Sequence, residues 1–223
     1  MSWIEIAPDG QAEEMRRRLL WAFTDAWSAN VERFRPEELG DTSMTFGLAV
    51  TINARHLAAV EVRAIAGVED REHGNLRWLE VERDGVVHRV YVYKAPPAAA
   101  SVEDVSFSDS KIKEQLTSAN TVQMALGLDG SAGTITGAAN IVIVMFGDSV
   151  TGFERAVVGA PYLHLERVAG GVRKHIKWSW SEPFGDADHG GRLPRTPTGP
   201  APTTSDDDLP VRLRPVAPAE ETG

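Results

Sequence analysis

The chain has 223 residues and a formal charge of −9, with 23 lysines and arginines against 32 acidic residues. This balance disfavours nucleic acid as a partner without excluding it, because phosphate contacts need a positive surface. Since the chain contains no cysteine, disulfides, thiol nucleophiles and thiolate-held metal sites are excluded.

The composition predicts a water-soluble protein without a membrane partner. Hydrophobic residues make up 42% of the chain, as in ordinary globular domains. The longest apolar run, Ile141–Phe146, is of strand length and far short of the roughly 20 residues that cross a bilayer. Residues Met1–Glu5 lack the basic and apolar regions of a secretory signal. We therefore expect a cytoplasmic protein.

Two helices are predicted in the first third of the chain. Between Ala12 and Phe34 apolar residues recur every three or four positions, and Arg35-Pro36 ends the pattern. A second helix is predicted from about Ser43 to Ala64, with Asp41 or Thr42 placed to cap its first turn. Its apolar stripe, in which the histidine is expected at the core or its boundary, consists of Met44, Leu48, Ile52, His56 and Val60.

The strongest β signal lies in Leu76–Lys94. Two alternating segments there flank Asp84-Gly85, a dipeptide suited to the tight turn of a hairpin. After a proline-containing loop, a third helix is predicted with Ile112 and Leu116 on its apolar stripe, and Gly127 stands where that helix would stop.

A continuous apolar run, Asn140–Phe146, is typical of a strand buried on both faces, and we expect it at the centre of the sheet. Shorter strands are predicted near Glu154–Val158, with a break at Pro161, and over His175–Trp180. This order of elements predicts an α+β fold: a single domain in which a mixed β-sheet, made of the hairpin and the central strand, is covered by about three helices.

The composition changes after Phe184. Residues 185–223 hold 7 of the 13 prolines and no aromatic residue. Too little apolar surface is present there to offset an ordering cost of about 1–2 kcal/mol per residue. We therefore predict a globular domain over residues 1–184 and a disordered tail over residues 185–223.

One candidate for chemistry is a pair of glutamates. Glu80 and Glu82 lie two residues apart on the first hairpin strand, so both side chains leave the same face. Such a pair could hold Mg²⁺ for phosphodiester chemistry, with Lys94 near the phosphate and Asp148 as a third carboxylate. The favoured interpretation is a solvent-facing pair opposite arginines, because charges on antiparallel sheets commonly face water.

The predicted order of helix, strands, helix and strand resembles the core of metal-dependent nucleases of the restriction-enzyme type. Those nucleases share an acidic residue followed by an acid-x-Lys triplet on the next strand. The triplet that ends at Lys94 is Val92-Tyr93-Lys94 and contains no acid. The resemblance implies, as the alternative function, a divergent metal-dependent phosphodiesterase with Mg²⁺ as its cofactor.

An interaction surface is the other candidate. Trp178 and Trp180 are expected on one face of the last strand beside Lys177, and large aromatics near cations are enriched at interfaces. The favoured interpretation is still that these tryptophans pack into one end of the core. Since no catalytic constellation emerges, the leading hypothesis is a non-enzymatic interaction or accessory domain with a protein partner and no cofactor. Its oligomeric state stays open.

Overall fold

The structure is a computed structural model that describes residues 2–74, 76–105, 115–120, 140–168 and 171–186. Four helices precede the sheet: α1 (Trp3–Ile6), α2 (Ala12–Arg33), α3 (Pro36–Leu39) and α4 (Ser43–Val62). The strands are β1 (Val68–His73), β2 (Leu76–Arg83), β3 (Val86–Lys94), β4 (Asn140–Asp148), β5 (Gly152–Val168) and β6 (Gly171–Asp186). A short 3₁₀ turn lies at Val102–Asp104, and residues 115–120 are helical.

The strands form one six-stranded sheet in the order β1-β2-β3-β4-β5-β6. Strands β3 and β4 are parallel, and every other neighbouring pair is antiparallel. A parallel pair needs a crossover connection, and the chain between Lys94 and Asn140 supplies it. The predicted α+β fold with a mixed sheet is therefore confirmed.

The two long helices cover one face of the sheet. Helix α4 contacts β1, β2 and β3, whereas α2 contacts β5 and β6. Between these helices and the sheet lies the helix-side cluster, whose largest fully buried members include Trp3, Phe23, Trp27, Ile141, Ile143 and Phe184. Burial of this apolar surface is the main contribution to the stability of the fold.

A smaller cluster covers the opposite face of the sheet. This opposite-side cluster consists of Tyr91, Ala95, Val102, Val105, Leu116, Val142, Val144 and Phe146. Strand β4 contributes alternate residues to both clusters, and residues 140–146 are all buried. The prediction that this apolar run forms a strand buried on both faces is thus confirmed.

Local sequence signals explain the helix and hairpin boundaries. Thr42 caps α4 by accepting a hydrogen bond from the backbone N–H of Thr45, whose side chain bonds back to the Thr42 N–H. In the β2–β3 turn, Asp84 and Gly85 have positive φ angles of 52° and 75°. This is the left-handed pair that a type I′ turn requires, so the predicted hairpin is confirmed.

Three features differ from the expectation. Strand β1 was not predicted, because its residues Val-Glu-Asp-Arg-Glu-His are exposed after the first and carry no apolar alternation. Strand β5 continues through Pro161 and absorbs it with a register shift between Gly159 and Pro161. That shift also places Trp178 and Trp180 in different clusters, which corrects the expectation of a shared face.

Other predictions fall partly outside the described residues. Of the predicted third helix, residues 115–120 are described and helical, whereas Ile112 and Gly127 lie outside. The predicted tail from residue 185 also lies outside, apart from Gly185 and Asp186, which belong to β6. None of the described helices is long and apolar enough to cross a membrane.

Candidate interaction surface

Helix α4 carries two apolar rows on opposite sides. The first repeats every fourth residue as Phe46, Val50, Ala54, Ala58 and Val62, and all five are buried in the helix-side cluster. The second repeats in the same way as Met44, Leu48, Ile52, His56 and Val60. Since the rows are offset by two residues, or about 200° around the helix, one must face water when the other faces the sheet.

The second row faces water. The exposed fractions are 81% for Met44, 61% for Leu48 and 53% for Ile52, and Val60 is also exposed. The prediction that this row faces the core is therefore wrong. The buried side of α4 holds alanines at positions 54, 58 and 59, and we infer that these small side chains let α4 lie close to the sheet.

A further exposed apolar residue lies shortly before α4 in the chain. Leu39, the last residue of α3, is 72% exposed, and Gly40 follows it in the left-handed conformation that ends the short helix. We call Leu39, Met44, Leu48, Ile52 and Val60 the α4 row. These five are among the eight large apolar residues that are exposed in the described part of the chain. Four of these eight residues therefore lie on one helix, α4.

Charges stand at the two ends of the α4 row and not along it. Residues 37–41 contain three acids, Glu37, Glu38 and Asp41, and no base. Residues 42–54 contain no charged side chain, whereas residues 55–63 contain two arginines and one glutamate. The apolar centre of the row thus separates an acidic end from a mildly basic end.

His56 lies in the same row, and its side chain contacts a residue of the sheet. Its Nδ1 lies 3.0 Å from Nη1 of Arg77 on β2, and Arg77 is paired with Asp70 on β1, with Nε 2.7 Å from the carboxylate. The hydrogen bond from Arg77 to Asp70 raises the pKa of Arg77 above its usual value, against the smaller opposing effect of burial. This chain of contacts gives His56 a structural partner at the basic end of the row.

A split between β2 and β3 lies under α4. The two strands pair only from Leu79 and Val90 onward, so the carbonyl of Val92 is free of β2 and accepts a hydrogen bond from Arg55 Nε at 2.9 Å. The guanidinium lies 4.8 Å from the centre of the Tyr93 ring. The space beside it measures about 10 Å³, room for about one water molecule.

Glu80 is surrounded by donors. Its carboxylate accepts hydrogen bonds from Arg71 Nε at 3.1 Å, Arg89 Nε at 3.2 Å and Trp78 Nε1 at 3.3 Å. Burial by itself would raise the pKa of Glu80, but these three donors outweigh it and hold that pKa below its ordinary value. The carboxylate is thereby engaged in cross-strand pairing.

Glu82 shares the strand of Glu80, whereas Lys94 lies on the other face of the sheet. Glu82 is exposed near the β2–β3 turn. Lys94 lies on the helix side of the sheet, 5.3 Å from the centre of the Trp27 ring, whereas Glu80 lies with Trp78 toward the opposite-side cluster. Desolvation lowers the pKa of Lys94, and the charge of Asp148 acts against that shift.

Asp148 stabilises its own turn. The carboxylate accepts backbone hydrogen bonds from Val150 at 2.6 Å and Thr151 at 2.7 Å, and its carbonyl accepts one from Trp27 Nε1 at 2.7 Å. The backbone bonds from Thr151 and Val150 are the main reason that the pKa of Asp148 lies below its usual value. The structure thus brings Asp148 toward Lys94 but places Glu80 elsewhere.

The contacts described so far do not gather metal ligands. Among the described residues, no group of three or more histidine, aspartate or glutamate side chains is placed to hold a metal ion. The predicted use of Glu80, Glu82 and Asp148 as metal ligands with Mg²⁺ stays a prediction.

The tryptophans of β6 are integrated into the domain. Trp178 packs against the opposite-side cluster and donates from Nε1 to the Val102 carbonyl at 3.3 Å, whereas Trp180 packs against the helix-side cluster. Lys177, which precedes Trp178, is exposed. Both tryptophans are partly buried, and a role of this strand in binding stays a prediction.

Sequence reasoning named most residues of the α4 row but assigned them to the wrong side. Leu39 was missed, because a single leucine between a short helix and a glycine has no periodic signal. The sequence signal that could have revealed the exposed row is that α4 is apolar on two sides, which is expected of a helix with partners on both.

Comparison with known proteins finds no matching family, no similar curated protein and no similar solved structure.

Proposed function

We propose that this chain is a non-enzymatic interaction or accessory domain that binds a protein partner through the α4 row. The single observation that carries the proposal is the concentration of exposed large apolar residues on this helix. Contiguous exposed apolar surface marks interaction sites more often than scattered single residues do.

The spacing of the row suits a protein surface as its partner. Met44, Leu48 and Ile52 lie at i, i+4 and i+8, the spacing by which a helix presents anchors to an apolar groove or to another helix. Burying such side chains contributes roughly 25 cal/mol for each Å² removed from water. A partner that covers the row would therefore gain free energy without any rearrangement of the buried side of α4.

The alternative function, a metal-dependent phosphodiesterase, has less support. In the described part of the chain the Glu80 carboxylate is engaged by two arginines, and Lys94 lies on the other side of the sheet. The predicted cytoplasmic location and the predicted absence of a cofactor stay predictions alongside the proposal.

Site-specific photo-crosslinking tests the proposal. A benzophenone amino acid is placed at position 48 of the full chain, and a matched control carries it at position 172. Val172 is a similarly exposed apolar residue on β6, 59% accessible against 61% for Leu48. Each protein is irradiated in lysate of the source cells, and adducts are identified by mass spectrometry.

We expect an adduct of defined mass at position 48, its loss when Ile52→Glu is added, and much weaker crosslinking at position 172. Failure to form an adduct at position 48, or equal adducts at both positions, would contradict the proposal.

A further inference from the structure

We propose that the partner of the α4 row is a second copy of this chain, with the two α4 helices packed antiparallel about a two-fold axis. This inference rests on the proposed function and names its partner. It is argued from the self-complementarity of the row, from the distribution of charge and from the length of the surface.

The row is self-complementary about its own centre. In an isologous pair, a contact of one residue with a second residue of the other copy is repeated with the two copies exchanged, so each contact occurs twice. An axis that passes between Leu48 and Ile52 places Leu48 of one copy opposite Ile52 of the other. The same axis places Met44 opposite His56. Large apolar residues thus meet large apolar residues along the centre of the contact.

The charges are complementary in this orientation and not in the parallel one. Antiparallel packing brings the N-terminal end of one α4, which follows the acids of residues 37–41, near the C-terminal end of the other, where Arg63 lies close to Glu61. Arg63 is exposed at the C-terminal end of α4. A parallel arrangement would place the three acids of residues 37–41 against the same three acids. Antiparallel packing also opposes the two helix dipoles favourably.

The uncharged centre removes the usual cost of such a contact. Residues 42–54 carry no charged side chain, so pairing the centres of two rows desolvates no ion. The row from Met44 to Val60 spans about 24 Å at 1.5 Å per residue. One helix face of that length lies at the small end of protein interfaces, so we expect dissociation in the range of about 10–100 µM.

The first experiment measures the mass of the full chain by sedimentation equilibrium between about 1 and 500 µM, a range that brackets the expected dissociation constant. The mass is expected to rise from the 24.2 kDa of one chain toward twice that value. Leu48→Glu should weaken association at least about tenfold, because each substitution is present twice in the interface. Val172→Glu, at a comparable exposure on β6, should leave association unchanged.

Circular dichroism and the melting temperature of each variant establish that it is folded. A constant monomer mass over the whole range overturns the inference. So does association that Val172→Glu disrupts and Leu48→Glu does not.

The second experiment tests the orientation and uses the absence of native cysteine. An equimolar mixture of Leu48→Cys and Ile52→Cys proteins is treated with a short bismaleimide, and Met44→Cys is treated alone. The mixture should give crosslinked dimer. Met44→Cys should not, since the two copies of residue 44 lie about 18 Å apart along the helix axis, twelve residues at 1.5 Å each. Efficient crosslinking of Met44→Cys alone would overturn the antiparallel arrangement.

The photo-crosslinking experiment separates the two proposals. An adduct at position 48 whose partner peptide comes from this chain supports both. An adduct with a different protein, together with a constant monomer mass, supports the proposed function and overturns the inference of a second copy.

Discussion

Leu48 and Val50 lie two residues apart on α4 and face opposite ways: Leu48 is 61% exposed, whereas Val50 is fully buried. This difference in exposure distinguishes the two sides of the helix. The Val50 side holds α4 on the sheet, and the Leu48 side presents apolar surface to solvent.

Substitution of these two residues should have opposite costs. Val50→Ala removes buried methyl groups and is expected to lower the free energy of unfolding by about 1–3 kcal/mol. Leu48→Gln should change it by no more than about 0.5 kcal/mol. Urea unfolding at a protein concentration of about 1 µM, well below the expected dissociation constant, makes the comparison. A cost at Leu48 equal to that at Val50 would mean that the row is covered within a single chain.

The ionised Glu80 side chain should stabilise the folded protein at neutral pH, and this stabilisation should be lost in acid. Its pKa in the folded protein lies below the ordinary value of 4.5, so the unfolded chain binds more protons as the pH falls below 4.5. The contribution is therefore present above pH 4.5 and is lost as the pH falls through the folded pKa. Glu80→Gln is expected to cost about 0.5–1 kcal/mol at pH 7 and progressively less toward acid, measured by urea unfolding at several pH values.

Glu82→Gln is the matched control for that series. Glu82 is exposed two residues further along the same strand, and we expect its substitution to change stability little. An acid dependence as large in Glu82→Gln as in Glu80→Gln would contradict the role assigned to the arginine pairing.

His88 should make the protein less stable between neutral and mildly acidic pH. Burial, and to a smaller extent the charge of Arg83, lowers the pKa of His88 below the ordinary 6.5. As the pH drops, His88 binds a proton near pH 6.5 in the unfolded chain but only at a lower pH in the folded protein. The free energy of unfolding therefore falls as the pH drops through 6.5 toward the folded pKa. The slope is at most about 1.4 kcal/mol per pH unit for one group.

His88→Gln should flatten the stability profile in this range, because glutamine does not titrate. His73→Gln, at an exposed histidine of β1, is the control and should retain the wild-type slope. Thermal unfolding between pH 5 and 7.5 would reveal the difference, and equal slopes in all three proteins would refute the assignment to His88.

Gly147 should tolerate no side chain. A Cβ at this position would lie 2.1 Å from the Gly152 carbonyl oxygen and 2.9 Å from Cζ2 of Trp27. Gly147→Ala is expected to cost about 2–4 kcal/mol. Gly152→Ala has an unfavourable φ of +87° but no atom within 4 Å, so a cost of about 1–2 kcal/mol from backbone strain is expected. Chemical unfolding of the pair measures the part due to the clash, and equal costs would count against it.

Much of the fold could be predicted because its signals are local. The Asp84-Gly85 turn, the Thr42 cap and the limits of α2 depend on neighbouring residues, and the apolar run of β4 indicates burial on both faces. Strand β1 could not be found in this way, since it is an edge strand whose side chains face water. Its position depends on backbone pairing with β2, which leaves no pattern in the sequence.

The sequence by itself predicted that α4 is a helix with one apolar row, from Met44 to Val60, and did not single out the second row, from Phe46 to Val62. Only the tertiary structure decided which row meets the sheet, because periodicity defines the sides of a helix and not the side that packs. The same holds for Trp178 and Trp180, which alternation places together and the irregular pairing near Pro161 separates. Both outcomes depend on contacts between residues far apart in the chain, where packing selects among faces that local chemistry leaves equivalent.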